Sequence, residues 1–128
     1  MDINDEKFVY KLNENNNIIV EYSKNIFKPT GTSIELLHSC NKNITSAGNM
    51  LDLGCGNGFL GIALKKMNKY INDLYASDIS LEAVNLASKN AQNNNVKIIT
   101  KCGNILEPWK NDKFDYIVND VSGISENL

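Results

Sequence analysis

Residues 50–64, MLDLGCGNGFLGIAL, place three glycines in five positions between an apolar run and a segment with helical spacing. Met50 to Leu53 read as a short strand, and Leu60, Ala63, Leu64 and Met67 fall on one stripe of a helix. Between them Gly54, Gly56 and Gly58 let the backbone take conformations and approaches that a Cβ would block. A strand that passes into a helix through such a turn also aims the amides of the helix N-terminus at whatever lies above.

The same alternation continues downstream. DLYASDI reads as a strand ending at Asp78, and Ser80 caps the helix LEAVNLASKNAQ, with Leu81, Val84 and Ala87 or Ala91 facing inward and Glu82 in the first turn. After the NNN break, VKIITKC is a strand, GNILEPWKND a connection and FDYIVND a further strand. Strand, helix, strand, helix, strand, connection, strand predicts an α/β fold, a mostly parallel sheet with helices on both faces. Ligands of such sheets sit beyond the carboxyl ends of the strands, where strand order switches. Gly54 to Gly58, Asp78, Gly103 with Asn104, and Asn119 with Asp120 all fall at those ends.

Upstream, KFVYKL and NIIVEYS alternate apolar and polar residues around NENNN and predict a β-hairpin. In FKPTGTSIELLHSC, Pro29 and Gly31 break the strand pattern, Thr32 or Ser33 caps a helix, and Ile34, Leu36 and Leu37 begin its apolar face, which should run to about Cys40. The expected organisation is a hairpin and lead-in over 1–28 followed by a core over 29–128. A chain of 128 residues is one domain or part of one.

A net charge of −2 argues against broad electrostatic binding of nucleic acid, although a local basic patch escapes that test. All 13 basic residues are lysines, so no bidentate arginine clamp for phosphate exists here. Cys40, Cys55 and Cys102 are far apart and suggest neither a disulfide framework nor a zinc site; buried thiols in a reducing compartment are expected. The N-terminus lacks a leader pattern and no run approaches transmembrane length, which points to the cytoplasm and away from a membrane partner. His38, the single histidine, reads as structural.

Asp78 lies 20 residues beyond Gly58, at the next strand's end, where a carboxylate can accept both hydroxyls of a ribose. The glycine turn and this acid together specify a nucleoside-containing cofactor. Gly56, Gly58 and Gly61 satisfy the dinucleotide fingerprint, which admits a nicotinamide-dependent oxidoreductase. Asp52, just before the first glycine, would repel a pyrophosphate and welcome a cationic amine or sulfonium.

LDLGCGNGFLGIAL resembles motif I of class I S-adenosylmethionine-dependent methyltransferases. YASDIS is similar to their ribose-binding acidic motif, CGNILEPW to the loop beside the adenine, and FDYIVND to motif IV. IFKPTGTSIELL resembles the segment before the core in the subgroup of small methyltransferase domains that contains the release-factor glutamine and ribosomal-protein methyltransferases. The resemblance covers residues 27 to 120 and implies a Rossmann-like fold and S-adenosylmethionine as cofactor. It implies that Gly54, Cys55, Gly56 and Gly58 surround the methionine part, that Asp52 meets the amino group and that Asp78 holds the ribose. Ile79 and Ile105 would sandwich the adenine, Asn104 would meet its amino edge, and Thr30, Thr32 and Ser33 would lie near the methionine carboxylate.

Asn119 and Asp120 are the candidates for orienting a nucleophile, and Asp120 is the acid nearest the expected methyl position. The family's amine-modifying members carry Asn or Asp, two prolines and an aromatic at this point, whereas this chain reads Asn119-Asp120-Val121-Ser122. Without the prolines and the aromatic, the stacking platform of those relatives is missing, and a domain that binds the cofactor without catalysis is the alternative. The family's sheet has seven strands and only four are expected here, the C-terminal ones being absent. A shortened chain is the favoured account; a partner chain or a homodimer pairing along an exposed edge strand at 114–120 would also serve.

Overall fold

The structure, a computed structural model, describes residues 6–121. Two strands, β1 (Glu6–Asn13) and β2 (Asn16–Tyr22), form the antiparallel hairpin. Helix α1 (Gly31–Asn43) precedes β3 (Gly48–Leu53), α2 (Phe59–Met67), β4 (Ile71–Asp78), α3 (Leu81–Asn93), β5 (Ile98–Cys102) and β6 (Tyr116–Val118). All pairings in the second sheet are parallel and its order is β5-β4-β3-β6.

Several local expectations shift. Thr30, not Thr32 or Ser33, is the N-cap of α1: its hydroxyl accepts the Ser33 amide at 3.2 Å, and the Ser33 hydroxyl accepts the Thr30 amide at 3.0 Å. This reciprocal box satisfies two donors that a helix start otherwise leaves open. The helix runs on to Asn43, one turn past Cys40, because no residue there breaks it. Ser80 caps α3 as expected, and Val84, Ala87 and Ala91 are buried, but Leu81 at the first helical position points to solvent. The edge strand is confined to Tyr116–Val118 instead of 114–120.

Among the described residues the α-helices lie on one face of the sheet, and the other face, where helices are equally expected, is covered by the short 3-10 helix Glu107–Trp109. Leu74 of β4 packs with α2 residues and Ala76, two positions on and therefore on the same face, packs with Ala87 of α3. The opposite face carries Leu51 and Tyr75, covered by Trp109 and Phe114 from the 103–115 connection, with Tyr75 5.7 Å from Trp109 and 5.1 Å from Phe114 between ring centroids. Ile99 and Ile117, in register with Tyr75 and Leu51, stay exposed on that face.

The hairpin belongs to the same core: Ile18 and Val20 are fully buried, and Phe8 and Tyr10 meet Phe59 edge-on at 5.4 and 5.8 Å. Its free edge is closed by side chains. Asn94 of the α3 terminus accepts the Ile19 amide and donates to its carbonyl, and Asn90 does the same for Glu21, all at 2.8 to 3.1 Å. Asparagines one helical turn apart match a strand's outward-facing groups two residues apart, and so complete the ladder that a third strand would otherwise supply.

Candidate functional site

The chain goes from β3 to β4 and β5 on one side and returns to β6 on the other, so strand order switches between β3 and β6. A cavity of about 390 Å³ opens there, with Asp52, Gly54, Cys55, Gly56, Asp78, Asn119 and Asp120 in its wall. A second cavity of about 350 Å³ adjoins it and shares Gly54, Asp78, Ile79 and Asn119. The two make one bent cleft with Asp78 at the elbow.

The floor is Asp52. Its Oδ2 accepts the Gly61 amide at 3.2 Å, while Oδ1 is buried with no hydrogen-bond partner. The side chain is pinned because α2 crosses β3 at close range: a Cβ on Gly61 would lie 3.0 Å from Asp52 Oδ2 and 3.1 Å from Leu74. Burial above all, opposed by the pull of the Gly61 amide and helped by the nearby charges of Asp120 and Asp78, pushes the Asp52 carboxyl up to about 7. A buried carboxylate with an unused oxygen gains from a cationic ammonium and would lose with an anionic pyrophosphate.

The glycine turn then organises Asp78. Gly54 and Cys55 both donate their amides to the Ser77 carbonyl, at 2.9 and 2.8 Å, which ties the turn to the end of β4. Gly56 donates its amide to Asp78 Oδ2 at 2.9 Å, and Ser80 donates to Oδ1 at 3.0 Å, so the carboxylate is fixed by two backbone donors and keeps its remaining lone pairs for a ligand. Gly58 is not on the wall. It sits below the turn with φ +87°, where a Cβ would stand 3.1 Å from Ala87. Cys55 is buried in the wall, and burial first, then Asp52 and Asp78, holds its thiol protonated.

In the second cavity Ile79 and Ile105 are 73 % and 66 % exposed, with Gly103 and Asn104 beside them. Ile105 has φ +47°, a left-handed conformation that a β-branched residue adopts at a cost of about 1–3 kcal/mol. Two exposed isoleucines flanking a slot, one of them held in strain, suit a flat apolar ring. The bent cleft thus offers a cation site at Asp52, a diol site at Asp78 and a slot for a planar base, a donor set that fits S-adenosylmethionine. Asn119 Oδ1 lies 3.4 Å from where a Cβ on Gly54 would stand, so its side chain overhangs the turn.

Some expected residues lie elsewhere. Thr30 caps α1 and Thr32 is exposed, neither lining the cleft, whereas buried Ser33 does. His38 hydrogen-bonds the Tyr10 hydroxyl at 2.9 Å, away from the cleft. Of the three free cysteines only Cys55 is buried; Cys40 is half-buried and Cys102 exposed. Sequence reasoning missed Phe27, Lys28 and Asn57, all in the wall. Asn57 accepts the Phe59 amide and donates to the Phe27 carbonyl, both at 2.7 Å, fastening the lead-in to the turn. Only its place inside the glycine turn signalled that role.

The methyltransferase small domain matches residues 21–120. The chain belongs to that family. Within this methyltransferase family, the ribosomal protein L11 methyltransferase of Thermotoga petrophila is 28% identical over 114 residues, covering 87% of this chain and 42% of that protein. The structure of M. capricolum TrmK in complex with the cofactor product S-adenosylhomocysteine is 28% identical, with a TM-score of 0.57 over 65% of this chain and 38% of that one. The 16S rRNA methyltransferase RsmC of T. Thermophilus shares the fold, at 20% identity and a TM-score of 0.77 over 91% of this chain and 33% of that one. The chain spans less than half the length of these relatives. With the family established, the dinucleotide reading of Gly56, Gly58 and Gly61 falls away, and Gly61 serves the close approach of α2 to Asp52. No helix among the described residues is long and apolar enough to cross a membrane.

Proposed function

We propose that this chain is the cofactor-binding half of an S-adenosylmethionine-dependent methyltransferase with a macromolecular acceptor, located in the cytoplasm. The observation that carries the reading is the buried, half-satisfied carboxylate of Asp52 at the floor of a bent cleft whose elbow is Asp78. Family membership and the relative crystallised with the cofactor product support it. Residues 29–128 would form the cofactor core, and the hairpin with its lead-in, 1–28, would close one wall through Phe27.

When bound, the cofactor supplies a methyl carbon already activated by its sulfonium. Asp52 would take the ammonium of the methionine part, with Gly54, Cys55 and Gly56 around it and Ser33 toward its carboxylate. Asp78 would hold the ribose hydroxyls, Ile79 and Ile105 the adenine faces, and Asn104 its amino edge. Asn119 and Asp120 stand where β6 ends beside the turn and would orient the acceptor, Asn119 through its side-chain oxygen and Asp120 by accepting the proton that the methylated nucleophile sheds. With leaving-group chemistry supplied, the protein's share is alignment and exclusion of water. The edge that β6 presents among the described residues would be filled by further strands of a longer chain, the favoured account, or by a partner chain or a second copy.

Calorimetric titration of the 128-residue chain with S-adenosylmethionine, with NAD as control, tests this directly. Asp78→Ala, checked for folding by circular dichroism, should bind roughly 10- to 150-fold more weakly, since a charged hydrogen-bonding group contributes about 1.5–3 kcal/mol. Equal affinity in the variant, or preference for NAD, would overturn the reading.

A further inference from the structure

Each cavity of the bent cleft has in its wall a residue with a buried polar atom that lacks a hydrogen-bond partner among the described residues: Asp52 with Oδ1 in the first, Ser77 with Oγ in the second. An ammonium suits the carboxylate. The hydroxyl has no use inside the chain. Ser77 is 1 % exposed and its backbone is fully engaged, paired in β4 with Leu53 of β3 and accepting the Gly54 and Cys55 amides on its carbonyl. The side chain therefore stays where the strand puts it. Ala76 turns toward α3, so Ser77 turns to the opposite face, the one that the 103–115 connection covers, and the second cavity lies there with Ile79, Asn104 and Ile105 in its wall. A hydroxyl buried without a partner costs free energy that an alanine at the same position would not. That cost is offset when the partner arrives with a ligand.

We propose that Ser77 Oγ recognises the base of the cofactor by donating a hydrogen bond to one of its ring nitrogens. The inference rests on the S-adenosylmethionine reading above and deepens it with a residue that reads the base. A flat ring clamped between Ile79 and Ile105 presents its edge to the floor of the slot. The edge of adenine carries one donor, the exocyclic amine, and ring nitrogens that only accept. The side-chain oxygen of Asn104 can take the amine, and the carboxylate of Asp78 the ribose hydroxyls, which leaves ring nitrogens for a group able to donate. Serine is such a group, and its hydroxyl turns freely to meet them.

The test is calorimetric titration of the 128-residue chain and of Ser77→Ala with S-adenosylhomocysteine and with its 1-deaza, 3-deaza and 7-deaza analogues, each of which replaces one ring nitrogen by C–H. The variant should bind S-adenosylhomocysteine roughly 2- to 12-fold more weakly, the span of one neutral hydrogen bond, and one of the three analogues should bind both proteins equally well. A thermal melt without ligand should show the variant no less stable than wild type, since it has lost a stranded hydroxyl. A serine that serves the fold alone would give the reverse, a lower melt and the same affinity ratio for every ligand. Unchanged affinity for S-adenosylhomocysteine in Ser77→Ala overturns the proposal, as does an equal loss across all the ligands or a variant that does not fold. Adenosine, titrated beside them, separates the two readings. If adenosine binds in a Ser77-dependent way and S-adenosylhomocysteine does not bind, the methyl-transfer reading falls and the base contact stands. If S-adenosylhomocysteine binds without regard to Ser77, the base contact alone falls, and a chain that binds neither loses both.

Discussion

Replacing Asp52 by asparagine should flatten the chain's stability against pH. The wild-type carboxyl is held at about 7 by burial, against an ordinary value near 3.9 for an unfolded aspartate. The native state therefore keeps a proton that the unfolded chain releases between those two values. For a raised carboxyl, the favourable contribution is complete below about pH 3.9 and disappears as pH rises through about 7. The full difference is roughly 4 kcal/mol at 1.36 kcal/mol per unit, of which roughly 2–3 kcal/mol falls between pH 5 and pH 8. Urea denaturation of the ligand-free wild type and Asp52→Asn at those two pH values reads the difference between slopes, which removes groups common to both proteins. Asparagine keeps an oxygen for the Gly61 amide, so the fold should survive. Binding provides the converse: a cationic ligand drives Asp52 to its charged form, so S-adenosylmethionine affinity should rise close to tenfold from pH 5 to pH 6 and level off above about 7. Parallel pH dependences in wild type and variant would refute the reasoning, because they would mean that Asp52 is ionised like any surface carboxylate.

Asn90→Ala should lower the unfolding free energy by roughly 2–4 kcal/mol in urea melts, because it strands the Glu21 amide and carbonyl and the Asn57 carbonyl at once. Ile105→Gly should move stability and binding in opposite directions. Releasing the strain at φ +47° should raise the thermal midpoint, by about 1 kcal/mol or more in free energy, while removal of one wall of the base slot weakens cofactor binding in calorimetry.

Much of this site was legible before folding was considered, because its chemistry is local. The glycine turn, the cap at Ser80 and the acid at the end of β4 are read within a few residues of the chain, and period-2 and period-3.6 patterns place the elements that carry them. Its position just before the first glycine put Asp52 beside the turn, and residue chemistry suggested its attraction for a cation. Its protonation state could not be read that way, since it depends on complete burial and on Asp78 and Asp120, which lie 26 and 68 residues further on. The same holds for Phe27. Nothing in FKPTGTS says that it lines one cavity with Asn119; there its carbonyl is held by Asn57 while the hairpin packs on Phe59. The asparagines of α3 read as unremarkable helix residues until β2 lies against them. Spacing along the chain thus determined the fold class and the cofactor elements, which need only neighbouring residues. Burial, charge coupling and the aromatic wall were decided by the tertiary structure, because each depends on groups that only chain closure brings together.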